Sequence, residues 1–465
     1  MSKPPETNAI ETLSSYVATT KYENLDKTFI DDVKNRLIDV IGCAIGGCNA
    51  PGNSALIDLF TKWGGEKEAT VWINGLQAPS HIAAMINSTM ARSYDFEVMA
   101  GKVEDKIFAA HHAASIVPTA VAVGELKKVS GKELVAAIGV ADDLNARVLV
   151  AAGVSPIGIG WDGTMLFSNF GTTAAAGKLL GLNAKQQKHA FGIVLNMMAG
   201  SIQSLWDGST TFKFQGMADH NGILAAQLAQ KGWTGVDDAL FSRFGFYNVY
   251  MKDCKDPDLL TRDLGKKFWG ETYYKPYPSG MPNHTGIDCA LKLVNENDIN
   301  TDDIKEIIIH VAPTALTNSY YAKPFSLREY PLGDAIFSYP YTIVSALLKK
   351  SMGLPNFTEE AIKDPKVMAL IAKTKMVEQG GDASLPPMSL SLDIITNDGR
   401  KYTETRGANR DWMKNPITRE TIVKKYWHQV DFSDTVSRSN AEEILDLIVN
   451  LEKVDDVSLL VKKIH

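Results

Sequence analysis

Cysteine is scarce in this chain. Four residues in 465, Cys43, Cys48, Cys254 and Cys289, are too few and too scattered for a disulfide framework or a zinc ribbon, and they fit a reducing compartment. Long apolar runs are missing too: none approaches the roughly 20 residues that a membrane span requires. The opening MSKPPETNAIETL has no apolar signal core, so a cytoplasmic protein with no membrane partner is expected. There is no basic excess either. The net charge of −6 and pI near 5.9 leave nothing to neutralise a phosphate backbone, and no nucleic-acid partner is expected. HExxH, GxSxG and the Walker lysine are absent. The only histidine pair, His111-His112, is adjacent, and neighbouring positions on a helix diverge by about 100°. No metal and no cofactor is therefore expected. Gly158 to Gly163 (GIGWDG) matches the dinucleotide pattern GxGxxG, but it follows a helical stretch without a βαβ context, so it reads as a glycine-rich loop lining a pocket.

What is abundant is helical periodicity. Residues 28–47 place Phe29, Val33, Leu37, Val40 and Ile41 on one face. Ala-rich stretches at 79–94, 113–127, 132–152, 171–181, 185–200 and 220–231 predict further closely packed helices. Near residue 266 the style changes. IKEIIIHVAPTA (304–315) predicts a strand, YTIVSALLKK (341–350) a helix, and SLSLDIITNDGRKYTETR (389–406) a hairpin turning at Asn397-Asp398-Gly399. Helices return after residue 415. The expected architecture is mainly α: an all-helical domain over 1–265, an inserted α+β lid over 266–406, and C-terminal helices (407–465) that rejoin the first domain.

Chemistry-bearing residues concentrate in three segments. Asp95 and Glu97 precede a polar loop, and His111 follows it just before an apolar helix, where a histidine can titrate near neutrality or serve as a cap. Lys213 lies in an apolar, glycine-rich setting, where lysines usually snorkel to water. Lys275, two prolines and His284 crowd a turn at the expected domain junction, the kind of place where small-molecule pockets form.

These segments, in their order and spacing, resemble the MmgE/PrpD family, which includes 2-methylcitrate dehydratase, cis-aconitate decarboxylase and iminodisuccinate epimerase. The resemblance covers nearly the whole chain. It rests on the Asp-Phe-acid segment at Asp95, on His111 to Pro118 followed by AVAVGE, and on GTTAAAGKLLGL at 171–182. It continues through KFQG at 213–216 and KPYPSGMPNHTGID at 275–288. It implies a homodimer and a pocket between helical domain and lid that needs no metal or coenzyme.

Carried onto this sequence, the resemblance makes Asp95 the aspartate of the active-site loop and His111 its histidine, with His112 as the alternative register. Lys213 resembles the family lysine, although it stands closer to Gly216 than the family pattern has it. Lys275 and His284 match the lid lysine and histidine, and Tyr320, or its neighbour Tyr321, the lid tyrosine. Asp162 stands where the family commonly has a pocket histidine, and Ser279 where it has a cysteine. The resemblance thus implies a cofactor-independent lyase acting on a small polycarboxylic acid. Dehydration of a methylcitrate-like 2-hydroxy acid comes first, decarboxylation or epimerisation next, and a non-catalytic ligand-binding protein is the remaining alternative. The expected roles are His111, Asp95, Tyr320 and Lys213 in catalysis, and Lys275, His284, Asp162 and Ser279 in substrate binding. With burial and Asp95 acting in opposite directions, the His111 pKa is expected within about a unit of 6.5. An acid at position 162 implies a substrate with fewer carboxylates, or with an amino or hydroxyl group there.

Overall fold

The Ala-rich stretches form helices because straight-chain and alanine side chains cost little entropy there, and half of them begin on a side-chain cap. Asp26 accepts from the Phe29 amide to start Lys27–Gly47, and Ser130 forms a capping box with Glu133 to start Gly131–Ala152. A computed structural model describes residues 8–380, 385, 388–407 and 417–465 of the chain. Parts of the expected domain ranges (1–7, 381–384, 386–387 and 408–416) lie outside the described residues. The chain is mainly α. Helices Ser80–Arg92, Ala113–Lys127, Gly131–Ala152, Gly163–Leu179, Ala184–Val194 and Met217–Gln230 pack against one another with Lys27–Gly47. Two differ most from the expected spans. The helix expected at 171–181 starts at Gly163, because Asp162 caps it, and the one expected at 185–200 ends at Val194.

Small residues let these helices approach closely. A Cβ at Gly47 would lie 2.1 Å from the Met90 carbonyl oxygen, and one at Gly216 would lie 2.2 Å from that of Met85. The helix Ser80–Arg92 is therefore gripped from two sides, and its last residue, Arg92, is buried.

The later part of the chain supplies a four-stranded sheet. In spatial order its strands are Thr374–Glu378, Ile304–Val311, Leu390–Thr396 and Lys401–Arg406; the first pair is parallel and the others antiparallel. Helices Met281–Glu296 and Tyr339–Lys349 pack together beside it. Helices Arg419–Ser433 and Arg438–Val449 then return to Lys27–Gly47. There Lys425 pairs with Asp39 at 2.7 Å and donates to the Phe96 carbonyl, while Asp39 accepts from the Val98 amide. The C-terminal helix thereby anchors the segment that carries Asp95 and Glu97.

One local expectation needs correcting. The polar loop between Asp95 and His111 is a hairpin, Met99–Val103 against Lys106–Phe108, and Gly270–Tyr273 adds a third strand. Ala100 and Glu104 take positive φ there, so no glycine signalled the turn. This strand pairing carries residues 270–273 onto the hairpin of the helical part. Glu271 of that strand accepts from the His112 and Ala113 amides at 2.6 and 2.8 Å, capping the helix Ala113–Lys127.

Candidate active site

Past the end of Ser80–Arg92 the chain turns sharply. Asp95 adopts φ +49°, a left-handed conformation that aspartate tolerates better than most residues. The turn returns the Asp95 carboxylate toward Arg92. Arg92 Nη1 pairs with Asp95 Oδ1 and donates to Glu97 Oε1 at 3.0 Å. His111 Nδ1 lies 2.7 Å from the same Glu97 oxygen, and its Nε2 lies 3.6 Å from Asp95 Oδ1. Lys275 Nζ donates to Asp95 Oδ2 and to the Asp95 carbonyl, both at 2.6 Å, and to the Ser279 carbonyl at 3.2 Å. All five side chains are buried.

Beside this cluster lies a cavity of about 270 Å³, small for a ligand pocket. Arg92, Asp95, His111 and Lys275 line it, together with Asp162 and the Tyr320-Tyr321 pair. Ile157, Asp162 and Gly163 bring the expected glycine-rich loop to its wall. The two tyrosine rings stack with centroids 4.5 Å apart, and Tyr320 Oη donates to Tyr321 Oη at 3.4 Å.

The other expected site residues lie elsewhere. His112 is fully buried away from the lining, with neither ring nitrogen hydrogen-bonded, and burial lowers its pKa to about 3. Lys213 is also outside the lining. Its ammonium donates to the Pro51 carbonyl at 2.6 Å and to Asn53 Oδ1 at 2.8 Å, and burial lowers its pKa to about 7. Ser279 and His284 support Lys275 from outside the cavity wall. His284 Nε2 lies 3.2 Å from the Ser279 carbonyl that also accepts from Lys275, and its Nδ1 lies 2.8 Å from the Tyr273 hydroxyl. Arg92 and Glu97 had no expected role, yet they touch every charged member of the cluster except Lys275.

The electrostatics correct a second expectation. His111 does not titrate near 6.5: burial and the Arg92 charge hold it well below that value, and the Glu97 carboxylate only partly opposes them. Glu97 itself is held low by Arg92 and His111 despite its burial. An ionised Glu97 beside Nδ1 puts the neutral ring's proton on Nδ1 and leaves the Nε2 lone pair free. Asp162 accepts from the Thr164 and Met165 amides through Oδ1 at 2.9 and 3.3 Å; burial raises its pKa, and Arg92 and the two amides counter that. Asp95, Glu97 and His111 also offer ligand atoms within 4.8 Å of one another. A metal there would have to displace Arg92 and Lys275 from the same carboxylates, so the donor set fits a salt-bridged cluster better than a cation site.

The site is thus a buried acid–histidine–cation cluster on a small cavity, in a mainly helical chain with a smaller α+β region. The chain belongs to the MmgE/PrpD family: the MmgE/PrpD N-terminal domain matches residues 11–257 and the MmgE/PrpD C-terminal domain residues 277–453. It is similar over 98% of its length, at 23% identity, to the cis-aconitate decarboxylase-like protein oryM of Aspergillus oryzae, 97% of which is covered. It is 24% identical to a cis-aconitate decarboxylase of Aspergillus terreus, over 95% of this chain and 93% of that protein. Among the described residues no helix is long and apolar enough to cross a membrane.

Proposed function

We propose that this chain is a lyase that eliminates water from a small hydroxy-carboxylic acid, with His111 as the base. One observation carries the reading: His111 lines the cavity with Nδ1 2.7 Å from Glu97 Oε1 and with Nε2 3.6 Å from Asp95 Oδ1, beyond hydrogen-bond distance. In the proposed step Nε2 takes the proton from the carbon next to the substrate carboxylate. The released electron pair forms the C=C bond, and the hydroxyl leaves as water after taking a proton from the Tyr320-Tyr321 pair. A phenol suits that role because burial holds both tyrosines protonated at neutral pH. Glu97 stabilises the imidazolium that forms, and Arg92 the charge that develops on the carboxylate.

Decarboxylation is the second reading, favoured by the two Aspergillus relatives and their names. It asks the histidine to deliver a proton at the same carbon, whereas burial and Arg92 keep His111 deprotonated at rest. That proton-poor state favours abstraction. Incubating the full chain with hydroxy acids and with unsaturated acids separates the readings. Water elimination raises ultraviolet absorbance from a new C=C bond; decarboxylation releases CO₂ instead. CO₂ release without any elimination would overturn the first reading.

A further inference from the structure

The cluster contains two cations at the cavity wall, and they differ in what they have left to give. An ammonium has three donors. Lys275 spends all of them, on Asp95 Oδ2, the Asp95 carbonyl and the Ser279 carbonyl. Arg92 is different. Its guanidinium lies over the Phe212 ring, 5.7 Å from the centroid, but among the described residues its hydrogen bond and ion pairs all run through Nη1, its Nε is buried without a partner, and Nη2 has no hydrogen bond. Arg92 is only 3% exposed, so unspent donors on a buried guanidinium are costly unless a ligand completes them. A planar guanidinium is also the better fit to a carboxylate.

Asp162 is the counterpart. Its Oδ1 is occupied by the two helix amides, and Oδ2 has no hydrogen bond among the described residues, although the residue lines the cavity. A carboxylate oxygen accepts hydrogen bonds and repels a second carboxylate. Resting on the small-acid reading above, we infer that the substrate runs between Arg92 and Asp162. Arg92 holds its carboxylate, and Asp162 accepts from a hydroxyl or ammonium group where a polycarboxylate would place a further carboxylate. Lys275 then sets the Asp95 carboxylate in place and does not bind substrate directly.

Three four-carbon acids test this, because they differ only at one end: succinate, 4-hydroxybutyrate and 4-aminobutyrate. Calorimetric titration into the full chain is expected to rank succinate weakest, by about tenfold or more, since its second carboxylate would meet the Asp162 carboxylate and like charges repel. If 4-aminobutyrate binds tightest, the donor is an ammonium; if 4-hydroxybutyrate does, it is a hydroxyl. Asp162→Asn keeps the helix cap, because asparagine caps as well as aspartate, and it should erase the discrimination against succinate. Arg92→Lys keeps the charge that holds Asp95 and Glu97 but loses the fork, and it should weaken all three acids. Succinate binding as tightly as the others, or an order unchanged in Asp162→Asn, overturns the inference and leaves the small-acid reading standing. If none of the three binds the unaltered chain, the small-acid reading itself fails.

Discussion

Arg92 and Arg147 are both buried arginines paired with an aspartate, and they sit in opposite kinds of surroundings. Arg147 has every nitrogen engaged. Nε meets Asp143 at 3.0 Å, Nη1 donates to the Leu259 and Arg262 carbonyls at 3.1 and 2.7 Å, and Nη2 donates to the Lys267 carbonyl at 2.9 Å. Asp143 is closed off in turn by the Tyr16 hydroxyl and the Trp269 amide, both at 2.9 Å. Neither Arg147 nor Asp143 lines the cavity beside Arg92. Arg92 has two nitrogens unspent and a cavity in front of it. Burial and pairing are shared by both; what separates them is the donors left over.

Removing the closed pair should give the largest effect. Arg147→Met leaves Asp143 buried and uncompensated, which typically costs about 3–5 kcal/mol. Chemical denaturation should show that loss, while the fraction still folded keeps its kcat. A variant of unchanged stability would end the distinction between the two arginines. Within the open cluster, His111→Gln should lower kcat by at least about a hundredfold, the ordinary contribution of a general base, with circular dichroism unchanged. His112→Gln should cost far less turnover, because His112 faces away from the cavity. If the pair behaves the other way round, the base is His112.

Lys213 gives a smaller effect. Lys213→Met strips the Pro51 carbonyl and Asn53 of a donor and should cost about 1–3 kcal/mol of stability. Because Lys213 lies outside the cavity lining, kcat should stay as it was; a loss of turnover at unchanged stability would return it to the chemistry. The smallest effect sharpens the charge argument. A base whose pKa is depressed is protonated only in acid, so the acidic limb of kcat/KM should lie well below pH 6.5. Arg92 is one cause of that depression, so Arg92→Gln should move the limb upward. The sign for stability follows from the same shift. Below pH 6.5 the unfolded His111 takes a proton that the folded one refuses, so stability falls as pH drops.

How much of this could be read from sequence follows the same division. The helices were legible because their apolar periodicity is local, and the place of His111 at a cavity wall was legible because it stands between an acidic loop and an apolar helix. Arg92 was not: at the end of SHIAAMINSTMAR it looks like any basic residue in a last helical turn, where it complements the helix dipole. Only the left-handed turn at Asp95 reveals its partners. Lys213 misled for the converse reason, since an apolar neighbourhood was visible but the Pro51 carbonyl, 162 residues away in sequence, was not. The Met99–Phe108 hairpin escaped because its turn uses Glu104 at positive φ and its third strand comes from Gly270–Tyr273. The His111 pKa was misjudged because Arg92 was missing from the sum.

The central claim is that His111 moves a proton at the carbon beside a substrate carboxylate. Proton exchange tests it most directly. A panel of small hydroxy acids in deuterium oxide, followed by NMR, should lose the signal of that Cα–H in the presence of the full chain. The His111→Gln chain should leave the signal intact. Exchange at an undiminished rate in His111→Gln would contradict the account.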